Sequence, residues 1–493
     1  MKTIKEVISK KQNIKKPVIK VVTDNQENKE MKSHNYGLFK YLGGLLLITA
    51  LLTWIFKVNV GGETQFIRIG VIDFFTMIII SLQFYAVKVS FLLILGGFYE
   101  ILSFNKGYKT IIGKITKLLK GNEKLFVIAT MLIFSVLSAI IIDPFVLLIF
   151  VPFVIAIIIG LKHDNLTAFL ATFGGILVGT IGNIYGSTNF GFFMGENLAT
   201  LNVAYGSGIA YRIGLLAGSF ILLTVFTVLH MNKKNKKNEE IESKNIFESQ
   251  EEVAEGKTWP TAVVLSILAV IAVIAFMPWG AFGASWQTNL NTWFNKLAIG
   301  GESIFQYIVG YVPEFGAWDL IIIQSVLLMT SLVIAKLSKM SFKTTLNAFG
   351  YGFKKMLKPI VLVILIGAIA LIPLNIQIFQ TMFAKMMPTF NYLFTPVIAF
   401  ISSIFGVEMQ YAWVLGGANI AASFTGSFNG GTLAVIFQSV YGLVQFIAPT
   451  SIFLIIGLSY LDIPYTTWLK KSWMYLLGLL IAVIAVVILI TQL

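Results

Sequence analysis

Two short polar stretches interrupt apolar helix patterns at comparable places in the two halves of the chain. Residues 185–189, Tyr-Gly-Ser-Thr-Asn, follow the small-residue run Gly174 to Gly182, and residues 448–451, Ala-Pro-Thr-Ser, follow the run Ile436 to Ile447. Backbone polar groups cannot be left bare in hydrocarbon, so such breaks persist only where they line a polar cavity or find new partners. Paired breaks in corresponding positions of two halves point to a solute site within the membrane.

The chemistry on offer is hydrogen bonding and dipoles. Ser187, Thr188 and Asn189 at the first break, Thr450 and Ser451 at the second, and Asn429 in the polar run Ala421 to Gly431, are the candidate substrate-binding residues. That run is too polar to face lipid and is expected to be a hairpin tip facing a cavity. Gly186 and Pro449 are the expected helix breakers; Pro449 removes a backbone donor and frees the carbonyl of Gln445. Freed carbonyls attract cations and freed N–H groups attract carboxylates. Asp143, Asn183 and Gln445 are therefore the candidates for holding a coupling ion. Competing structural readings stand beside these: Gly186 as part of an outer loop, Pro449 as a kink satisfied by its neighbours, and Asp143 as an N-cap with Pro144 at the first helical position. Charges inside the membrane are costly and mark function by default. Lys88 is expected to snorkel outward. Arg212 is expected either to hold a carboxylate through its fork or to anchor at the interface.

What must position these residues follows from composition. The chain has 493 residues, 57% hydrophobic and only 12% charged, with mean hydropathy +0.82, against about 25% charged in soluble domains. Runs 38–56, 261–279 and 472–492 are long enough to cross a bilayer. Continuous rather than alternating apolar runs exclude a β-barrel. The fold class is an all-α polytopic membrane protein built as two inverted repeats with re-entrant hairpins and broken helices. Cysteine is absent, which removes disulfide and thiolate chemistry. The net charge of +14 comes from lysines clustered between spans, as membrane orientation requires, so no nucleic-acid partner is expected. Neither His-Glu-x-x-His nor a phosphate-binding G-x-x-x-x-G-K-[ST] loop occurs. No metal site, no cofactor and no enzymatic activity are expected, His34, His163 and His230 are expected at membrane edges, and energy would come from a gradient of Na+ or H+.

Basic segments 1–36, 105–124 and 336–358 belong on the cytoplasmic side. The resulting division is a cytoplasmic disordered tail 1–36, a first transmembrane repeat 37–230, a cytoplasmic linker 231–258, a connecting helix and outer loop 259–316, and a second repeat 317–493. Residues 71–83 are expected to be interfacial or re-entrant, ahead of a separate span 84–104. Segment 124–189 starts inside, bends at Asp143-Pro144 and ends at the first break. Segment 388–451 starts outside, bends at Glu408-Met409-Gln410 and ends at the second. The order of parts is the same and the direction opposite. The chain is expected in the cell membrane, multi-pass, with a cytoplasmic N-terminus, in contact with lipid and as a possible homodimer.

Several patches carry a family resemblance: Gly121-Asn122-Glu123-Lys124-Leu125-Phe126, Tyr205-Gly206-Ser207-Gly208-Ile209-Ala210-Tyr211-Arg212, Ile447-Ala448-Pro449-Thr450-Ser451, Asp462-Ile463-Pro464-Tyr465, Trp468-Leu469-Lys470 and Leu52-Thr53-Trp54-Ile55. The chain resembles the YfcC family of C4-dicarboxylate or basic amino-acid carriers, within the ion transporter superfamily. The resemblance implies carboxylate binding between two inverted hairpin repeats. The expected function is secondary active transport of a small carboxylate-bearing solute by alternating access. An amino acid is the leading solute, with arginine/ornithine antiport in view, and a C4-dicarboxylate the other. A passive pore for small anions is the alternative.

Overall fold

The computed structural model describes residues 36–60, 63–65, 67–185, 194, 203–204, 206–237, 247, 256–296, 298–299, 302–376, 378–386, 392, 394–417 and 429–491. Among them, eight helices are long and apolar enough to cross a membrane. The protein is an all-α polytopic membrane protein; two small antiparallel β-hairpins are its only described strands.

The first half opens with α1 (Tyr36–Ile55) and the hairpin β1 (Val58–Val60) and β2 (Glu63–Gln65). Next come α2 (Val71–Phe84) and α3 (Ala86–Ser103). α2 runs into α3 without an intervening loop. The Tyr85 N–H donates to Ser81 O and its carbonyl accepts from Val89 N–H, so the ladder carries through the bend and the pair forms one rod. The amphipathic α4 (Lys106–Leu118), capped by Asn105, leads into α5 (Glu123–Ile140). A bend at Asp143, a 3-10 turn Pro144–Ile149 and α6 (Val151–Gly160) complete a first helical hairpin. Then α7 (Asn165–Phe169), a π-helical turn (Leu170–Gly174) and α8 (Gly175–Ile181) make a helix that stops at the first break. The long α9 (Ile209–Lys237) closes the half.

Asp164 caps α7 by accepting from Thr167, and it also pairs with His230 of α9 at 3.0 Å. Burial pushes its carboxyl up, but hydrogen bonds from His230 and Thr167 together hold it well below the usual carboxylate range. His230 is thus a structural partner rather than a solvated edge residue.

The connecting part holds α10 (Trp259–Phe276), α11 (Trp286–Phe294), β3 (Ala298–Ile299), β4 (Glu302–Ser303) and α12 (Ile304–Val309). In the second half, α13 (Leu320–Leu337) precedes a second rod, α14 (Phe342–Ile376), and the short α15 (Ile378–Met386). The second hairpin is α16 (Thr395–Phe405), a bend at Gly406 to Glu408, and α17 (Met409–Ala412), which continues as a π-helical turn, Trp413–Gly417. The broken helix follows as α18 (Gly430–Gln445), a break, and α19 (Ile452–Tyr460), and α20 (Tyr465–Thr491) ends the chain. The sequence reading lacked α19 and started the last helix at 472. Nine residues of α19 span only about 14 Å, too short to register as a membrane crossing.

The two halves repeat their packing. α5 lies on α8, and α16 lies on α18; α8 meets α18, α9 meets α20, and the rods α3 and α14 lie along each other. Close approach at two crossings depends on glycine. A Cβ on Gly352 of α14 would sit 2.2 Å from Gly96 O of α3, and one on Gly442 of α18 would sit 2.3 Å from Ile181 Cα. Both obstacles are backbone, which cannot rotate away. Gly442→Ala is expected to destabilise the detergent-purified protein by about 1–3 kcal/mol, read as a lowered thermal unfolding midpoint; an unchanged midpoint would show that this crossing can relax.

Candidate functional site

Both hairpin tips and both broken helices meet at one buried cavity. It is lined by Asp143, Pro144 and Phe145 of the first tip and by Thr180 and Asn183 at the first break. Val407, Glu408 and Met409 come from the second tip, and Tyr441, Gln445, Ile452 and Phe453 from the second broken helix. Lys88 of α3 completes the wall. The arm α16 has 11 residues, roughly 16 Å, about half of a hydrocarbon core of about 30 Å. That hairpin therefore turns back inside the membrane. The cavity holds about 50 Å³, room for a few water molecules but not for an organic solute.

Each tip is built locally. Asp143 caps the 3-10 turn, its Oδ1 accepting from Phe145 N–H at 2.9 Å, with Pro144 at the first position. Ile142 N–H donates to Phe276 O at the end of α10 (2.8 Å). At the second tip, Gly406 N–H closes on Ser402 O at 2.7 Å, and Val407 takes φ 36°. A β-branched residue in the left-handed region is strained by about 1–3 kcal/mol. Tyr441 holds it there, donating from its hydroxyl to Val407 O at 3.0 Å.

The electrostatics centre on Lys88. Its ammonium pairs with Glu408 Oε1, and the two side chains are 17% and 8% exposed. It also stands 5.1 Å from the Tyr85 ring centroid and 5.3 Å from that of Phe145, both within cation–π range. So Lys88 faces inward; it does not snorkel to the surface.

The backbone groups freed by the breaks are largely satisfied by side chains. At the first break, Gln438 of α18 donates to Asn183 O at 3.0 Å. Arg212, 1% exposed, donates to Ile184 O at 3.1 Å, Asn183 O at 3.5 Å and Ser207 O at 3.0 Å. Ile184 N–H returns to Ala139 O of the first hairpin at 2.8 Å. At the second break, Trp468 donates to Phe446 O at 3.0 Å and the Tyr465 hydroxyl to Ile447 O. In each half the helix after the broken one supplies caps, joined at the first break by Gln438 of the other half, which is how an inverted repeat shows itself without sequence identity. Arg212 is therefore a backbone clamp among the described residues, and the carbonyls of Asn183, Ile184, Phe446 and Ile447 are already occupied by donors.

Of the residues singled out from sequence, the structure brings Asp143, Asn183 and Gln445 to the cavity wall. Asn183 is 4% exposed and its Oδ1 has no hydrogen-bond partner among the described residues. Asn429 is elsewhere. It caps α18, accepting from Gly431 and Thr432 N–H, and its own N–H donates to Tyr392 at 2.7 Å. The 16 residues of α18 separate it from Gln445 by roughly 24 Å; residues 421–428 of the polar run expected as a hairpin tip lie outside the described residues. Thr450 is spent on the second hairpin, donating to Ile404 O. Ser451 precedes α19, fully buried, its Oγ without a hydrogen-bond partner among the described residues. Pro449 sits in a turn closed by Ser451 N–H to Ala448 O at 3.1 Å. Gly186, Ser187, Thr188 and Asn189 lie outside the described residues. Glu408, Tyr441 and Thr180 were missed. Glu408 had a signal: it stands at the second hairpin bend where Asp143 stands at the first.

A family model described as DcuC, C4-dicarboxylate anaerobic carrier, matches residues 39–492. The chain belongs to the DcuC family. This membership covers the whole membrane part, and it makes the protein a carrier-family member rather than an enzyme. The solved structure of the Alcanivorax borkumensis YdaH transporter, described as having an unusual topology, is similar at 13% identity and a TM-score of 0.38, covering 93% of this chain and 98% of that one. No curated protein matches the chain.

Proposed function

We propose that this DcuC-family chain is a secondary active transporter of a C4-dicarboxylate, working by alternating access at the cavity between the two hairpin tips. The observation that carries the reading is the position of Lys88: one ammonium on the wall of a buried cavity to which both tips and both breaks contribute. An ammonium in a low-dielectric site binds carboxylate strongly. The remaining wall offers the side-chain amides of Asn183 and Gln445 for a second carboxylate. Asp143 and Glu408 line the same space, so a doubly charged anion would add to an existing excess of negative charge. Cations must then travel with it, and H+ or Na+ coupling follows from that balance. The moving body in this reading is 124–189 with 388–451, sliding against the rods. Basic clusters in 1–36, 105–124 and 336–358 support a cytoplasmic N-terminus in the cell membrane.

A second reading has one observation in its favour. Asp143 and Lys88 share the cavity, which suits an amino acid with its carboxylate on Lys88 and its amino group on Asp143. YfcC-like arginine/ornithine exchange is the form this would take. Purified protein in liposomes loaded with unlabelled succinate, and separately with arginine, decides. Saturable uptake of labelled succinate driven by internal succinate is the expected outcome. Counterflow with arginine alone moves the assignment to the second reading, and linear flux without counterflow replaces the carrier by a pore.

A further inference from the structure

We infer that Glu408 is a tethered competitor of the solute: its carboxylate occupies Lys88 in the closed site, and the solute's carboxylate binds by displacing it. The inference rests on the proposed carboxylate site and adds the device that sets its affinity. Lys88 is on α3, which packs against α13 and α14. Glu408 is on the second hairpin tip, whose arm α16 packs on α18. The ion pair therefore joins a rod to a hairpin tip, across 320 residues of sequence. Lys355 and Glu100, by contrast, pair at 2.7 Å between the two rods themselves.

Three features make the pair displaceable rather than a plain brace. A cavity of about 50 Å³ has no room for an organic carboxylate beside Glu408, so the tip carrying Glu408 must withdraw. Val407, the residue before it, is held at φ 36° through Tyr441, so withdrawal relieves backbone strain. An incoming carboxylate restores to Lys88 the same charge-assisted contact that Glu408 gives up, so the exchange leaves no buried ammonium unpaired, whereas simple opening would.

Glu408→Gln keeps the side-chain size and removes the competing charge. In counterflow assays it is expected to lower the half-saturation concentration for succinate about tenfold. Glu408→Asp, which retains the charge on a shorter tether, should fall between Gln and the wild type, and it decides alone if the Gln variant does not fold. A half-saturation concentration that is unchanged or raised in the folded variant makes Glu408 a brace or a solute ligand and overturns the inference, while wild-type transport leaves the substrate reading standing. A wild type that carries no succinate removes that reading and this inference with it.

Discussion

Lys88→Met is expected to abolish carboxylate counterflow. A hydrogen bond to a charged group is worth about 1.5–3 kcal/mol, which corresponds to roughly 10- to 150-fold in binding. Lys88 is the ammonium on the cavity wall, and among the described wall residues no other carries a full positive charge. The same substitution strands Glu408, 8% exposed at its side chain, as an unpaired carboxylate. Removing one partner of a buried pair costs about 3–5 kcal/mol of stability, so the single variant alone does not separate folding from function. The double variant Lys88→Met with Glu408→Gln does. With neither charge present, the thermal midpoint is expected to return toward the wild type while counterflow stays absent. Recovered transport in the double variant would show that the ammonium is a structural partner only and would remove it from the solute site.

Arg212→Met is expected to destabilise the protein by about 3 kcal/mol or more. The guanidinium is 1% exposed and donates to three carbonyls: Ile184 and Asn183 at the first break, the latter shared with Gln438, and Ser207 in the turn before α9. Each buried acceptor left without a donor costs about 1–3 kcal/mol. Arg212→Lys should recover only part of this, because a single ammonium cannot span the directions that the planar fork reaches. Size-exclusion profiles after stepped heating give the comparison. If Arg212 bound solute instead, the Met variant would keep its midpoint and lose only transport. Gln438 donates to the same Asn183 carbonyl, so either single loss leaves that carbonyl one donor, and a Gln438→Leu exchange in the Arg212→Met background should cost more than the sum of the two.

The sequence by itself determined the solvent this protein lives in, the helical class, the two hairpin bends at Asp143-Pro144 and Glu408, and the two helix breaks. These are local properties: an apolar run, a proline, a polar cluster and a row of lysines act within a few residues of themselves. Lysine placement is local in the same sense, because charge selects a membrane side without reference to any partner. What the tertiary structure decided is who faces whom. Lys88 read as a snorkelling edge residue because nothing within a helical turn reveals Glu408, 320 positions away. Arg212 read as a ligand or an anchor because the carbonyls it caps belong to a break some 28 residues earlier. Asn429 and Thr450 carry the polar groups a site needs, yet the fold spends them on a helix cap and on a hairpin clamp. In a chain where unpaired backbone is so costly, polar residues near a break are claimed first by the backbone. Only the packing of the two halves shows which of them, Asp143, Asn183, Gln445, Lys88 and Glu408, are left to face the cavity.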